Sequence, residues 1–179
     1  MLRTLLIAIG VLAAAAAAVV AYAAATQSDD FRVERSLAIK APADKIYPLI
    51  ADFKAWDAWS PWEHKDPNMK RTYSEPSGGK GAKYAWEGNG EVGSGEMTMA
   101  EATSPSRVKL DMHFKAPFEA RHVGEFTLVP QGDGTNVTWS MSGDAHLVTK
   151  VMCLFFSMDK MVGTEFEKGL AAMKAKTEG

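Results

Sequence analysis

Cys153 is the only cysteine in 179 residues. That excludes an intrachain disulfide and any cysteine-based metal centre. The four histidines, His64, His113, His122 and His146, are scattered without metal-ligand spacing, so neither a metal nor another cofactor is expected. Clustered cations are missing as well. Twenty Lys and Arg stand against 22 Asp and Glu, for a net charge of −2. Nucleic acid is therefore not an expected partner, because phosphate binding needs concentrated positive charge. No serine sits in a G-x-S-x-G context. Beyond the alanine run Ala13 to Ala18 there is no low-complexity segment and no internal repeat.

One long apolar run is present. Leu5 to Ala25 carries no charge and is long enough to cross a bilayer. It reads as a retained anchor, so the bilayer is an expected partner through residues 5–25. A signal peptide cut after Ala21-Tyr22-Ala23 or Ala23-Ala24-Ala25 is the competing reading, although the run exceeds the ~7–15 residues of a usual signal core. A buried soluble helix is a third. Arg3 favours a cytoplasmic N-terminus, whereas Arg32, Arg35 and Lys40 favour the reverse. The orientation adopted is a single-pass anchor in the cell membrane with the domain on the periplasmic or extracytoplasmic side. The chain divides into 1–25 (anchor or signal peptide), 26–30 (linker) and 31–179 (one domain).

The stretch Ala51 to Glu63 holds three of the five tryptophans, Trp56, Trp59 and Trp62, spaced three apart. Trp56 and Trp59 at i, i+3 share a face of a short helix. Such a segment is too aromatic to lie free in water and too short to form a core alone. It reads as a lid or wedge over a larger apolar surface.

Phe31, Val33, Leu37 and Ile39 alternate with polar residues and predict a first strand. Pro42 suits the first turn of a helix carrying Ile46, Leu49 and Ile50, which Pro48 should kink or divide. From Met69 the period becomes two. Lys83 to Glu87 and Gly93 to Glu101 flank Gly88-Asn89-Gly90, a type I′ hairpin signal. Arg107 to Lys115, Glu119 to Val129 and Asn136 to Ser142 are further strands, with a turn at Asp133-Gly134. A helical run from about Leu147 to Lys176 closes the chain, with Leu154, Phe155, Met158, Val162, Phe166, Leu170 and Met173 on one face. Val148 to Met158 is apolar nearly all round, which calls for burial on several sides or contact with a membrane or partner. A sheet with one apolar face must be covered. The long helix is the only element large enough to cover it, and a curved sheet around a helix encloses a cavity unless bulky side chains fill it.

Three stretches carry a family resemblance. They are Ala41-Pro42-Ala43-Asp44-Lys45-Ile46 leading into Ala51-Asp52-Phe53 and Trp59-Ser60-Pro61-Trp62; Gly81-Ala82-Lys83-Tyr84-Ala85-Trp86-Glu87-Gly88; and Ser157-Met158-Asp159-Lys160-Met161 through Phe166 to Lys174. With the order of elements, they resemble the START / Bet v 1-like superfamily, also called SRPBCC, in its polyketide cyclase/dehydratase and lipid-transport branch. The resemblance implies an α+β helix-grip fold. A curved antiparallel sheet of about seven strands would wrap a long C-terminal helix, with two short helices after strand 1 and an N-terminal transmembrane helix outside the shared domain. Function is less determined, since one fold hosts many functions.

Alternation places Tyr84, Trp86, Met97, Met99, Leu110, Met112, Phe126, Trp139 and Met141 on the inward face, with Leu128 beside Phe126. Trp59, Phe155 and Met158 complete the candidate ligand-binding set. Aromatic and methionine walls suit a lipophilic small molecule, lipid or polyketide-like. His122 is the polar exception, sharing the inward face with Ala120, Gly124 and Phe126. It reads as a satisfied core histidine, a ligand contact or, as the one weak catalytic candidate, an acid/base. His113 falls on the outer face. Glu165 and Asp159 read as solvated or paired with lysines. Gly88 to Gly93 matches G-x-G-x-x-G in letters only, because a strand follows instead of a helix. Binding without turnover is the expected function. The alternatives are a cyclase/dehydratase- or hydrolase-type enzyme in the same cavity and a pocket-free module whose Val148 to Phe156 surface docks a membrane partner. No protein partner is identified.

Overall fold

The computed structural model describes residues 1–155 and 157–179. Seven strands form one antiparallel sheet in the order β1-β7-β6-β5-β4-β3-β2: β1 Asp30–Ile39, β2 Lys70–Tyr73, β3 Lys83–Glu87, β4 Ser94–Thr103, β5 Arg107–Ala116, β6 Ala120–Gln131 and β7 Gly134–Asp144. From β2 to β7 every strand pairs with its chain neighbour, and β1 closes the order by pairing with β7. The helices are α1 Leu2–Thr26, α2 Ala43–Ala51, α3 Leu147–Cys153 and α4 Met158–Glu178. Two 3₁₀ turns, Phe53–Ala58 and Pro61–His64, carry the tryptophans after α2. The fold is α+β, as the resemblance implied.

Helix α1 is long and apolar enough to cross a membrane, a test that an N-terminal signal sequence also passes. Among its residues only Ala23 is buried, where the helix end meets α3.

Four local expectations are corrected. Pro48 lies inside α2 without dividing it. The C-terminal helix is not continuous from Leu147. It breaks between α3 and α4, and Ser157 caps α4 by accepting from the Lys160 amide at 3.2 Å. The β3–β4 connection is not a two-residue type I′ turn, since neither Asn89 nor Gly90 has positive φ. It is a longer loop in which Gly93 (φ 62°) takes the left-handed position and Asp66 accepts from the Asn89 amide at 2.7 Å. The β6–β7 turn is Gly132-Asp133, because Gly134 already pairs with Gln131.

Helix α4 does not lie over the middle of the sheet. Its contacts with the sheet are mainly with β1 and, less, β7, and its last turn caps the β1 edge: Glu178 accepts from the Lys40 amide at 2.6 Å and Lys174 donates to the Ala38 carbonyl at 3.0 Å. An aromatic column fills the space beneath. Trp139 stacks on Phe166 with ring centres 4.1 Å apart, and Phe126 stacks on Trp139 at 4.8 Å. Trp59 meets Trp139 edge-on at 5.3 Å. The tryptophan segment is tied to the carbonyls at the end of α2, with Trp59 Nε1 donating to Leu49 at 2.7 Å and Trp56 Nε1 to Ile50 at 3.0 Å. These bonds satisfy groups that a helix end leaves open. With α4 displaced toward β1, the inner face of β3 to β5 is covered only in part.

Candidate functional site

That uncovered half of the sheet is a cavity of about 400 Å³. Its floor is the inner face of β3 to β7, its back wall the tryptophan segment, and its roof the first turns of α4. The β3–β4 and β5–β6 connections line it at the end where β1 begins and β7 ends.

Of the residues singled out from the sequence, Tyr84, Trp86, Met97, Leu110, Met112, His122, Trp139, Met141 and Met158 line this cavity. Trp59, Met99 and Phe126 do not. They face the same way, but other side chains cover them completely, leaving them 3%, 0% and 0% exposed. Phe155 is also outside the cavity, 69% exposed beyond the end of α3. The interior is not sealed, so the pocket-free alternative loses its premise. Sequence reasoning passed over Phe114, although it alternates with Met112 on one strand. It also passed over Trp62, Met161, Val162 and Phe166, which helical spacing alone does not assign to a wall.

Glu63 was missed too. It is 4% exposed and lines the back wall. Tyr84 Oη donates to one carboxylate oxygen at 2.7 Å, and Arg71 Nε donates to the other at 2.6 Å. Arg71 also donates to the Glu63 and Met69 carbonyls at 2.5 and 2.9 Å. Burial, then the hydrogen bond to Glu63, pushes the Tyr84 phenol far above its usual range. The bond to Glu63 likewise raises Arg71. Both Glu63 oxygens are thus engaged, and the trio braces the wall.

His122 stands opposite Met112 on β5 and Gly143 on β7. Phe31 meets its ring edge-on at 4.7 Å and Phe114 lies 5.4 Å away. A β-carbon at residue 143 would come within 2.6 Å of the imidazole, so Gly143 makes room for it. Nδ1 is buried and, among the described residues, has no hydrogen-bond partner. Burial lowers the His122 pKa, with nearby His146 adding to the shift and Asp144 opposing it. The ring is therefore neutral at neutral pH and borders a mostly apolar chamber. Such a site can enclose an apolar molecule.

His113 lies on the opposite face, 3.0 Å from Glu119. Asp159 pairs with Arg35 at 2.8 Å, whereas Glu165 pairs with Lys65 and Lys168 at 3.3 and 2.9 Å. A second depression on the convex face includes Glu96, Asp111, His113 and Arg121. Glu96 there is paired with Lys115 at 2.7 Å. Among the described residues, no three His, Cys, Asp or Glu side chains converge as a metal site.

Solved structures share this fold at low sequence identity. A protein from Chromobacterium violaceum has a TM-score of 0.58 and 15% identity over 84% of this chain and 98% of its own. The Aha1 dimer from Colwellia psychrerythraea gives 0.58 and 16%, covering 83% of this chain and 96% of that one. BexL, a di-domain ARO/CYC from the BE-7585A biosynthetic pathway, gives 0.60 and 14%, with 89% of this chain aligned to 53% of BexL. No curated protein matches the sequence. The family described as polyketide cyclase / dehydrase and lipid transport matches residues 30–178. Sheet, C-terminal helix and sequence match agree: the chain belongs to the polyketide cyclase/dehydrase and lipid-transport family.

Proposed function

We propose that this protein is a membrane-tethered domain that binds a lipophilic small molecule between its sheet and its C-terminal helix. The observation that carries this reading is the open cavity of about 400 Å³, walled mainly by aromatic and methionine side chains. A ligand burying about 300 Å² of apolar surface there would gain roughly 7 kcal/mol from burial. Methionine walls adapt to varied apolar shapes. Helix α1 supplies the tether, retained in the bilayer.

The test is native mass spectrometry of the full-length protein purified in mild detergent. A bound mass that organic extraction removes is expected. Recovery of bare protein that also fails to take up the lipophilic fluorophore N-phenylnaphthylamine would overturn the reading.

A second reading, an enzyme using the same cavity, is favoured by one observation: a neutral imidazole bordering a mostly apolar cavity. One solved neighbour is an ARO/CYC of a biosynthetic pathway. Binding without turnover is preferred because the buried carboxylate on the same wall, Glu63, has both oxygens engaged.

A further inference from the structure

Outside α1, six large apolar side chains are exposed among the described residues: Phe118, Val129, Leu147, Val148, Phe155 and Met161. Their positions are not random. Asp30 at the start of β1 pairs with Asp144 at the end of β7, and His122 near the start of β6 pairs with Gly143. The β5–β6 connection carrying Phe118 is therefore at this same end of the sheet. Leu147 and Val148 follow in α3, Phe155 just after it, and Met161 in the first turn of α4. The far end of α4 lies at the opposite end of the sheet, where Glu178 meets Lys40. Five of the six thus gather at one end, and only Val129 sits at the other.

That end also receives α1. Only Gln27 to Asp29 separate Thr26 from Asp30, a reach of roughly 10 Å. The join is held on both sides: Ala23 is buried against α3, and Lys150 of α3 pairs with Asp29 in the linker. A domain on so short and so braced a leash cannot present this end anywhere but to the surface from which α1 emerges. The cavity opens there too, since Phe118 and Met161 both line it and are 57% and 53% exposed.

We infer that this end of the domain docks into the bilayer interface beside α1. Phe118, Leu147, Val148, Phe155 and Met161 enter the headgroup–acyl boundary, and the cavity mouth faces the lipid. Isolated exposed apolar residues need no explanation, but a contiguous set marks an interaction surface. The patch rims the mouth and flanks an apolar helix of membrane-spanning length, so its occupant is lipid. The proposal shares the retained anchor with the functional reading above, and it adds a direct route between bilayer and cavity that avoids water.

The test uses full-length protein in phosphatidylcholine vesicles, in a Cys153→Ser background. Single cysteines replace Leu147, Phe155 or Val129, all surface-exposed and none lining the cavity. Each is labelled with bimane, and quenching by lipids spin-labelled near the headgroup is measured. Labels at 147 and 155 should be quenched at least about twofold more than the label at 129. Equal quenching at all three overturns the proposal, as does release of the labelled domain from the vesicles. A photoactivatable phosphatidylcholine gives an independent readout on the unsubstituted protein: adducts should concentrate in residues 117–121 and 146–155 and spare 127–135. Neither readout involves a cavity ligand. If N-phenylnaphthylamine fails to bind while the quenching contrast holds, the carrier reading fails and the docking stands.

Discussion

The guanidinium of Arg35 passes across α4 at Gly163, and the missing side chain there lets it hold two carboxylates at once. Arg35 Nη1 and Nη2 each donate to Asp159 at 2.8 Å, and Nε donates to Glu167 at 2.6 Å. Residues 159, 163 and 167 are four apart and stack along one helix face. A β-carbon at position 163 would collide with the guanidinium. The bonds to Asp159 and Glu167 raise Arg35 above its ordinary range, and the bond to Arg35 lowers Asp159. This clamp fixes α4 over the β1 side of the sheet and so leaves the other side open.

Gly163→Ala should therefore break a general rule. Within a helix, Ala normally stabilises by about 1 kcal/mol relative to Gly. Here the gain should vanish or reverse, because the new methyl displaces Arg35. In an Arg35→Ala background the same substitution should recover the full gain. Chemical denaturation of the four proteins of this cycle measures the difference, and identical effects in both backgrounds would show that Arg35 does not use the space.

Ala120→Trp should close the cavity without disturbing the core. Ala120 lines the chamber on β6 beside the mouth, and its new side chain would occupy open space. Stability should shift by less than about 1 kcal/mol, whereas overpacking a filled core costs about 1–3 kcal/mol. Affinity for N-phenylnaphthylamine should fall by about tenfold or more, equivalent to about 1.4 kcal/mol. Unchanged affinity measured by fluorescence titration would place the binding elsewhere.

Much of the sheet was legible because its physics is local. Val108, Leu110, Met112 and Phe114 alternate without interruption, and so do Val137, Trp139 and Met141, so a period of two could be read directly. What faces each inward side chain is a tertiary matter. Met97 and Met99 share an identical local pattern, yet Met97 borders the cavity and Met99 is sealed under the core. The break between α3 and α4 was hidden because Val148 to Met158 is apolar nearly all round, so its pattern shows no distinct face whose interruption would mark the break. Glu63 was passed over because a lone carboxylate followed by His64 and Lys65 looks solvent-facing. Only the long-range contacts with Arg71 and Tyr84 make its burial tolerable.

Removing Arg71 should loosen the back wall. Arg71→Ala leaves the buried Glu63 carboxylate without its cation, at a cost of about 3–5 kcal/mol for a fully buried pair and less here because Arg71 reaches the surface. Chemical denaturation of parent and variant at pH 7 measures the loss, and equal stability would show that Glu63 had found another partner.

His122 gives the prediction closest to function. Its pKa is lowered from 6.5 by burial, with His146 adding to the effect. Between the lowered value and 6.5 the unfolded chain takes up a proton that the folded protein refuses, so stability rises with pH across that window and falls as pH drops through it. Above pH 6.5 both states are neutral and the contribution is flat. His122→Gln removes this component, so the parent should lose stability relative to the variant on acidification below 6.5. The same neutrality bears on the ligand. Affinity of the cavity for N-phenylnaphthylamine, which needs no charge from the protein, should be level from pH 8 to 6.5 in both. For a natural ligand whose polar group meets the imidazole, His122→Ala should cost one hydrogen bond, about 0.5–1.5 kcal/mol. An acid/base role would show otherwise, as a loss of about 10²–10⁴ in turnover with binding nearly intact. Titrating binding and turnover of parent and His122→Ala with the co-purifying compound over pH 5–8 separates the two. A large turnover loss at unchanged affinity would make His122 a catalytic residue and displace the carrier reading.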